Sequence, residues 1–186
     1  MQPVLERYRH AADAFERKIE AVRPDQWANR SPCADWTARD VVSHVVEMHG
    51  AMLRAVQRSP RPAADDDPLA AFRRARADVE AVLADPELAG VEVASPYAGQ
   101  LPAERHIDQV MVDELVVHGW DLARATGQDG TMDPAAVDKI WLASMSLGEE
   151  VLRTPGVCGP EVAVPPDAPL QDRLLGLLGR DPRWAA

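Results

Sequence analysis

Between Pro102 and Gly127 the chain carries Ile107, Val110, Met111, Leu115, Leu122 and Ala125 at the spacing of one helix face, and Glu114 and His118 fall on that same stripe. Residues at i and i+4 stand one turn apart, so this carboxylate and this imidazole can reach one point. A helix of this kind must bury its apolar stripe against other elements, and its acid and histidine go inside with it. Glutamate is rarely buried without a partner. A metal ion would supply that partner, so the pattern predicts a helical body built around a charged centre.

The rest of the chain repeats the helical period. Val4, Tyr8, Ala11, Ala12, Phe15, Ile19 and Val22 trace a first helix over residues 3 to 22, which Pro24 ends. The loop PDQWANRSPCADW holds Trp27 and Trp36 and is expected to pack on the body. Thr37 reads as an N-cap with Asp40 completing a short-armed capping box, and Trp36 and Val41 stand where a hydrophobic staple would put them. This second helix should reach about Gln57, with Val41, Val45, Met48, Met52 and Val56 inward.

Asp67-Pro68 and Asp133-Pro134 are cap-plus-proline starts. The first opens a third helix ending near Asp85-Pro86, and the second opens a fifth through Leu142, Met145 and Leu152. Residues 87 to 100 suggest a short extended segment and turn, and the fourth helix runs from near Pro102 to the C′ glycine Gly127. After Pro155 the chain is loop-rich, with a last short helix in DRLLGLLG. These signals predict an all-α, up-down four-helix bundle with an extra C-terminal helix and a loop-rich tail, and no sheet larger than a hairpin. One domain is expected over residues 1–186, with the bundle over about 3–153 and the appendage over 154–186.

Composition narrows the function classes. A formal charge of −10, from 30 acids against 20 Lys and Arg, disfavours nucleic acid as a partner. Arg54, Arg58, Arg61 and Arg73 to Arg76 form local basic groups, but acids or prolines interrupt them and no aromatic is interleaved. No apolar run approaches a membrane span and no signal segment opens the chain, so membrane partners are not expected and the cytoplasm is the expected location. Cys33 and Cys158, the two cysteines, do not suggest a secreted disulfide scaffold.

His44, between Val41 and Met48 on its own apolar face, offers a third ligand beside Glu114 and His118. Zinc and related divalent ions accept imidazole nitrogen and carboxylate oxygen, and a catalytic site leaves a position open. Asp121 could hold an N–H of His118 from behind, and Asp40 could do the same for His44. The competing reading is a buried Glu114–His118 pair with no ion. For His49 and His106 an exposed or capping role is expected. Cys33 could approach the metal end, although a packed loop cysteine is the simpler role, and Cys158 has less to recommend it. Trp36 and Trp120 flank the ligand segments and could wall a pocket, although staple and core roles are the default for aromatics there. Arg124 could meet an anionic substrate or an acid of the chain, and Tyr97 sits where a lid residue or a turn residue would.

The segments SPCADWTARDVVSHVV, DELVVHGWDLARATG and APLQDRLLGLLGRDPRW give the chain a resemblance over nearly its whole length. It resembles the DinB-like bundles related to the N-terminal domain of mycothiol-dependent maleylpyruvate isomerase. Within them it looks most like an actinobacterial family of predicted metal-binding proteins. The resemblance implies a DinB-like bundle and a His, Glu, His metal triad, carried here by His44, Glu114 and His118, with zinc the leading ion and nickel an alternative.

The resemblance also implies a low-molecular-weight thiol such as mycothiol as cosubstrate, and hence a thiol S-transferase acting on a small electrophile. The isomerase adds a separate C-terminal domain that helps build its active site. Here about thirty residues follow the last bundle helix, so isomerisation itself is not expected. A metal-dependent hydrolase and a non-enzymatic metal-binding or stress-associated protein are the alternatives. The sequence leaves the electrophile and the oligomeric state open, a homodimer included.

Overall fold

The computed structural model describes residues 3–61, 67–95, 99–154 and 156–185. It is predominantly helical, as a DinB-like bundle would be. Four long segments form the body: α1 (Val4–Glu20), α2 (Ala38–Ala55), α3 (Pro68–Ala84) and a continuous helical stretch over residues 103–126. That stretch consists of α5 (Ala103–His106), one π-helical turn (Ile107–Met111) and α6 (Val112–Thr126). α1 and α2 each lie against both α3 and α6, so the second helix and the Glu114-bearing helix are neighbours.

The capping signals behave as the sequence predicts. Thr37 Oγ1 accepts the Asp40 N–H at 3.3 Å while the Asp40 carboxylate accepts the Thr37 N–H at 2.8 Å. Asp67 caps α3 through the N–H groups of Leu69 and Ala70, and α6 ends at Gly127, whose φ of 68° only glycine adopts freely. A short helix, α4 (Pro86–Ala89), leads into a hairpin of β1 (Glu92–Ser95) and β2 (Gly99–Pro102), paired antiparallel with Val93 opposite Leu101. It is the largest sheet among the described residues. Tyr97 lies outside the described residues.

The main core joins Tyr8, Phe15, Val41, Val45, Phe72 and Leu115, with Phe15 and Phe72 meeting edge to face at 5.0 Å. On its outer side, arginines that read as basic patches in the sequence are tied to acids. Arg76 reaches Asp13, Glu16 and Glu80, Arg73 reaches Glu16 and Glu20, and Arg61 reaches Asp78.

His49 corrects the expectation of an exposed or capping histidine. It is 1% exposed, with its Nδ1 2.7 Å from the Val45 carbonyl and its Nε2 2.8 Å from the Tyr8 hydroxyl. A carbonyl only accepts, so Nδ1 donates, and with burial keeping the ring neutral Nε2 accepts from the Tyr8 hydroxyl. His106 is half-buried on α5, and burial lowers its pKa.

Beyond Gly127 there are more helices than one extra. α7 (Pro134–Leu147), α8 (Glu149–Leu152) and α9 (Leu170–Leu177) follow. The expected fifth helix is broken at Gly148, where φ is 79°, and its buried face is Val137, Ile140 and Ser144. Leu142 and Met145 are 69% and 57% exposed, turned away from that face. α7 and α9 build a second apolar cluster of Val137, Ile140, Leu174, Leu175 and Leu178, and Val117 and Trp120 of α6 belong to it. The ligand-bearing helix is therefore covered on two sides. Among the described residues no helix is long and apolar enough to cross a membrane.

The His49 environment sets a pH dependence. Burial, opposed in part by the bond to Val45, lowers its pKa from 6.5 to about 4. Between those values the unfolded chain binds a proton that the native state refuses, so stability rises with pH across that window. The contribution lost on acidifying through it is about 3 kcal/mol. Urea unfolding between pH 7 and pH 4 should show the His49→Gln variant losing less stability than the parent. Equal losses would show that His49 is not held neutral.

Candidate metal centre

α2 and α6 bring the three sequence-predicted ligands together. Glu114 and His118, one turn apart on α6, meet with Oε2 and Nε2 2.8 Å apart. His44 arrives from α2, with Nε2 3.8 Å from the same Glu114 oxygen. One donor atom from each of the three lies within 4.8 Å of the others, which is the spacing of a shared ion's ligands. The position is set early in the chain, because the Thr37–Asp40 capping box fixes where α2 starts and His44 follows two turns later.

The site has a wet side and a dry side. The side chains of His44 and Glu114 are 32% and 33% exposed, whereas that of His118 is 7% exposed. Trp36 walls it, with its ring 4.7 Å from His44 and 5.9 Å from His118. A group bound here would face solvent across His44 and Glu114 and rest on indole and imidazole behind.

The dry side is held by a carboxylate. His118 Nδ1 donates to Asp121 Oδ2 at 2.9 Å, and Asp121 is fully buried. The same oxygen accepts from Arg180 Nη2 at 3.0 Å and from the Cys33 thiol at 3.1 Å. Arg180 comes from the C-terminal tail, immediately after Gly179, whose φ is 81°. A Cβ at Gly179 would stand 2.9 Å from the Gly159 backbone, so a side chain there would push the tail away.

The charges follow from these contacts. Burial pushes Asp121 up, but the Arg180 guanidinium and the bonds from His118 and Arg180 outweigh it and hold the carboxyl at about 2. Burial likewise opposes ionisation of Glu114, yet His118 and His44 hold its carboxyl well below the ordinary range. Burial lowers His118, and its bonds to Asp121, Cys33 and Glu114 more than reverse this, raising it well above 6.5. Without an ion, His118 is thus an imidazolium between two carboxylates. A metal ion can take the place of the Nε2 proton while Asp121 keeps Nδ1.

Cys33, His118 and Asp121 form a second group whose donor atoms also lie within 4.8 Å of one another. The two groups share His118, whose Nδ1 points at Asp121 and whose Nε2 points at Glu114. Asp121 is already paired with Arg180, which favours the first group as the ligand set. Two imidazoles and a carboxylate suit zinc, nickel and related divalent ions.

Other sequence candidates fall elsewhere. Asp40 does not serve His44, because its carboxylate is committed to Thr37. Arg124 pairs with none of the described acids: it donates to the Trp184 carbonyl at 2.9 Å and lies over the Trp120 ring. Trp120 belongs to the second apolar cluster and Cys158 packs beside it. Cys33, read as a packed loop residue, is part of the support behind His118.

Arg180 had no expected role in the sequence. Its signal was indirect: a buried Asp121 demands a cation, and the GRDPRW ending supplies one.

The domain described as the mycothiol maleylpyruvate isomerase N-terminal domain matches residues 8–123, a span that holds Cys33, His44, Glu114, His118 and Asp121. Two uncharacterized proteins of Mycobacterium tuberculosis, from strains CDC 1551 / Oshkosh and ATCC 25618 / H37Rv, are each 33% identical to the chain, over 98% of it and 100% of their own length. No solved structure matches it. With a match over more than half its length and relatives aligned end to end, the chain belongs to the mycothiol maleylpyruvate isomerase N-terminal domain family, within the DinB-like superfamily.

Proposed function

We propose that this protein holds a divalent metal ion, zinc ahead of nickel, on His44, Glu114 and His118, and that it is a metal-dependent thiol S-transferase using mycothiol or a similar thiol. The observation that carries the metal is the convergence of two imidazole nitrogens and a carboxylate oxygen from α2 and α6 at one solvent-reachable point. Three protein ligands leave one position of a tetrahedral set for a thiol or water. Bound there, the ion would supply a Lewis acid that lowers the pKa of a coordinating thiol.

The chain's own residues do the rest. Asp121 keeps a proton on Nδ1 of His118, so that Nε2 is the atom offered to the site. Trp36 presents an aromatic wall against which a small electrophile can lie. The family supports the thiol, through the description of the domain to which the chain belongs. A hydrolase would need a base beside the open position. In this reading Glu114 is spent as a ligand, so transfer is proposed ahead of hydrolysis.

Metal binding has a direct check. Zinc affinity measured by chelator competition should fall by orders of magnitude in His44→Ala, Glu114→Gln and His118→Ala. Asp121→Asn should lose about 10–100-fold, the usual effect of removing a carboxylate behind a histidine ligand. Parental affinity in any of the three ligand variants would reject the triad.

The thiol has its own check. Mycothiol added to the cobalt-substituted protein should give a sulfur-to-metal charge-transfer band, and the thiol should be consumed with an electrophile panel only when the triad is intact. A cobalt spectrum unchanged by mycothiol and related thiols, at full metal occupancy, would reject the transferase and leave the hydrolase or a non-enzymatic role.

A further inference from the structure

On the far side of α6 from the triad a cavity of about 230 Å³ lies between α1, α6 and the start of α7. The ligand helix turns Glu114, His118 and Asp121 toward one side, and Leu115, Val116, Gly119 and Trp120 toward this one. Phe15 and Met132 complete apolar walls. Gly119 keeps the space open: a Cβ there would reach ordinary contact with Phe15 at 3.6 Å and with the Lys18 stem at 3.7 Å. The HGW sequence therefore serves both sides of the helix, a histidine for the metal and a glycine for the cavity.

The charged groups lining this cavity are mostly cationic, against the balance of the chain. Arg7, Lys18 and Lys139 face a single acid, Asp133, in a protein with 30 acids and 20 Lys and Arg. Asp133 is engaged as the cap of α7. Arg7 is paired with Asp108 at 2.8 Å, and Lys139 with Asp113 at 2.9 Å. Lys18 differs. Its ammonium donates to the Asp129 carbonyl at 2.8 Å in an exposed bond, and the Asp129 carboxylate acts on it through space without forming an ion pair. A lysine with no ion-paired carboxylate among the described residues, at the mouth of an apolar chamber, matches a ligand with an oily body and one negative end.

We infer that this cavity binds a small amphipathic monocarboxylate, its hydrocarbon body between Phe15, Leu115, Trp120 and Met132 and its carboxylate on Lys18. A largely apolar cavity of this size suits a small hydrocarbon body such as that of a medium-chain or single-ring acid. The site is independent of the metal reading, since it shares none of the triad's side chains.

Octanoate is the probe, with 1-octanol as its neutral counterpart, each titrated into ¹⁵N-labelled protein. Octanoate should saturate, with shifts concentrated at Gly119, Gly130, Thr131 and the Trp120 indole N–H. Lys18→Gln should weaken octanoate about tenfold, the effect of losing a charge-assisted bond, and leave 1-octanol unchanged. Ala136→Leu puts a good helix former at a cavity-lining position of α7 and should displace both compounds while the circular dichroism stays parental. Non-saturating or scattered shifts would overturn the site. Octanoate affinity unaffected by Lys18→Gln, or binding that survives Ala136→Leu, would overturn the assignment of ligand and place. Because zinc affinity is read separately, failure here is distinct from failure of the triad.

Discussion

A carboxylate with no exposed surface, Asp121, organises the functional half of this molecule. Burying an ionised acid costs several kcal/mol unless it is paired and hydrogen-bonded. One of its oxygens accepts from His118, Arg180 and Cys33, three residues from the ligand helix, the C-terminal tail and the loop before α2. Removing any of these partners leaves a buried charge short of donors. The tail, the loop and the helix are therefore locked to one another through one carboxylate, and the ring of His118 is locked with them.

That lock requires α6 to be covered on two sides. Its inner stripe joins the bundle core through Leu115 and Leu122, and Val117 and Trp120 join the cluster made with α7 and α9. A helix in this position offers almost no solvent-facing surface, and its polar residues must be spent on structure or on chemistry. Glu114 is the exception, a third exposed where His44 comes across from α2. The metal-binding reading follows from this asymmetry: a rigid, dry support on the Asp121 side and an open, wet face on the Glu114 side.

Much of this was legible in the sequence because short-range physics writes it there. The capping box at Thr37 and Asp40, the Asp-Pro starts of α3 and α7, and Gly127 each specify a boundary with their own chemistry, and the helix ends fall where those residues put them. The convergence of His44 with Glu114 and His118 needed one tertiary assumption, that α2 and α6 are neighbours.

What stayed hidden depends on contacts distant along the chain. Arg180 lies 59 positions from Asp121, and no local pattern announces their pairing. His49 looks like any histidine near a helix end until Tyr8, 41 positions away, supplies its hydrogen bond. The fifth helix, traced through Leu142, Met145 and Leu152, is interrupted: a break at Gly148 separates the first two from Leu152, and the second cluster takes the face of α7 turned away from them.

X-ray absorption spectroscopy on the zinc-loaded protein, without added thiol, tests the central claim most directly, because the two candidate clusters around His118 differ in sulfur. With His44, Glu114 and His118 as ligands, the first shell holds only nitrogen and oxygen at about 2.0–2.2 Å, with the multiple scattering of two imidazoles. Cys33→Ser should leave that spectrum unchanged, and His44→Ala should remove one imidazole from it. A sulfur shell at about 2.3 Å that disappears in Cys33→Ser would move the ion to Cys33, His118 and Asp121 and contradict the account.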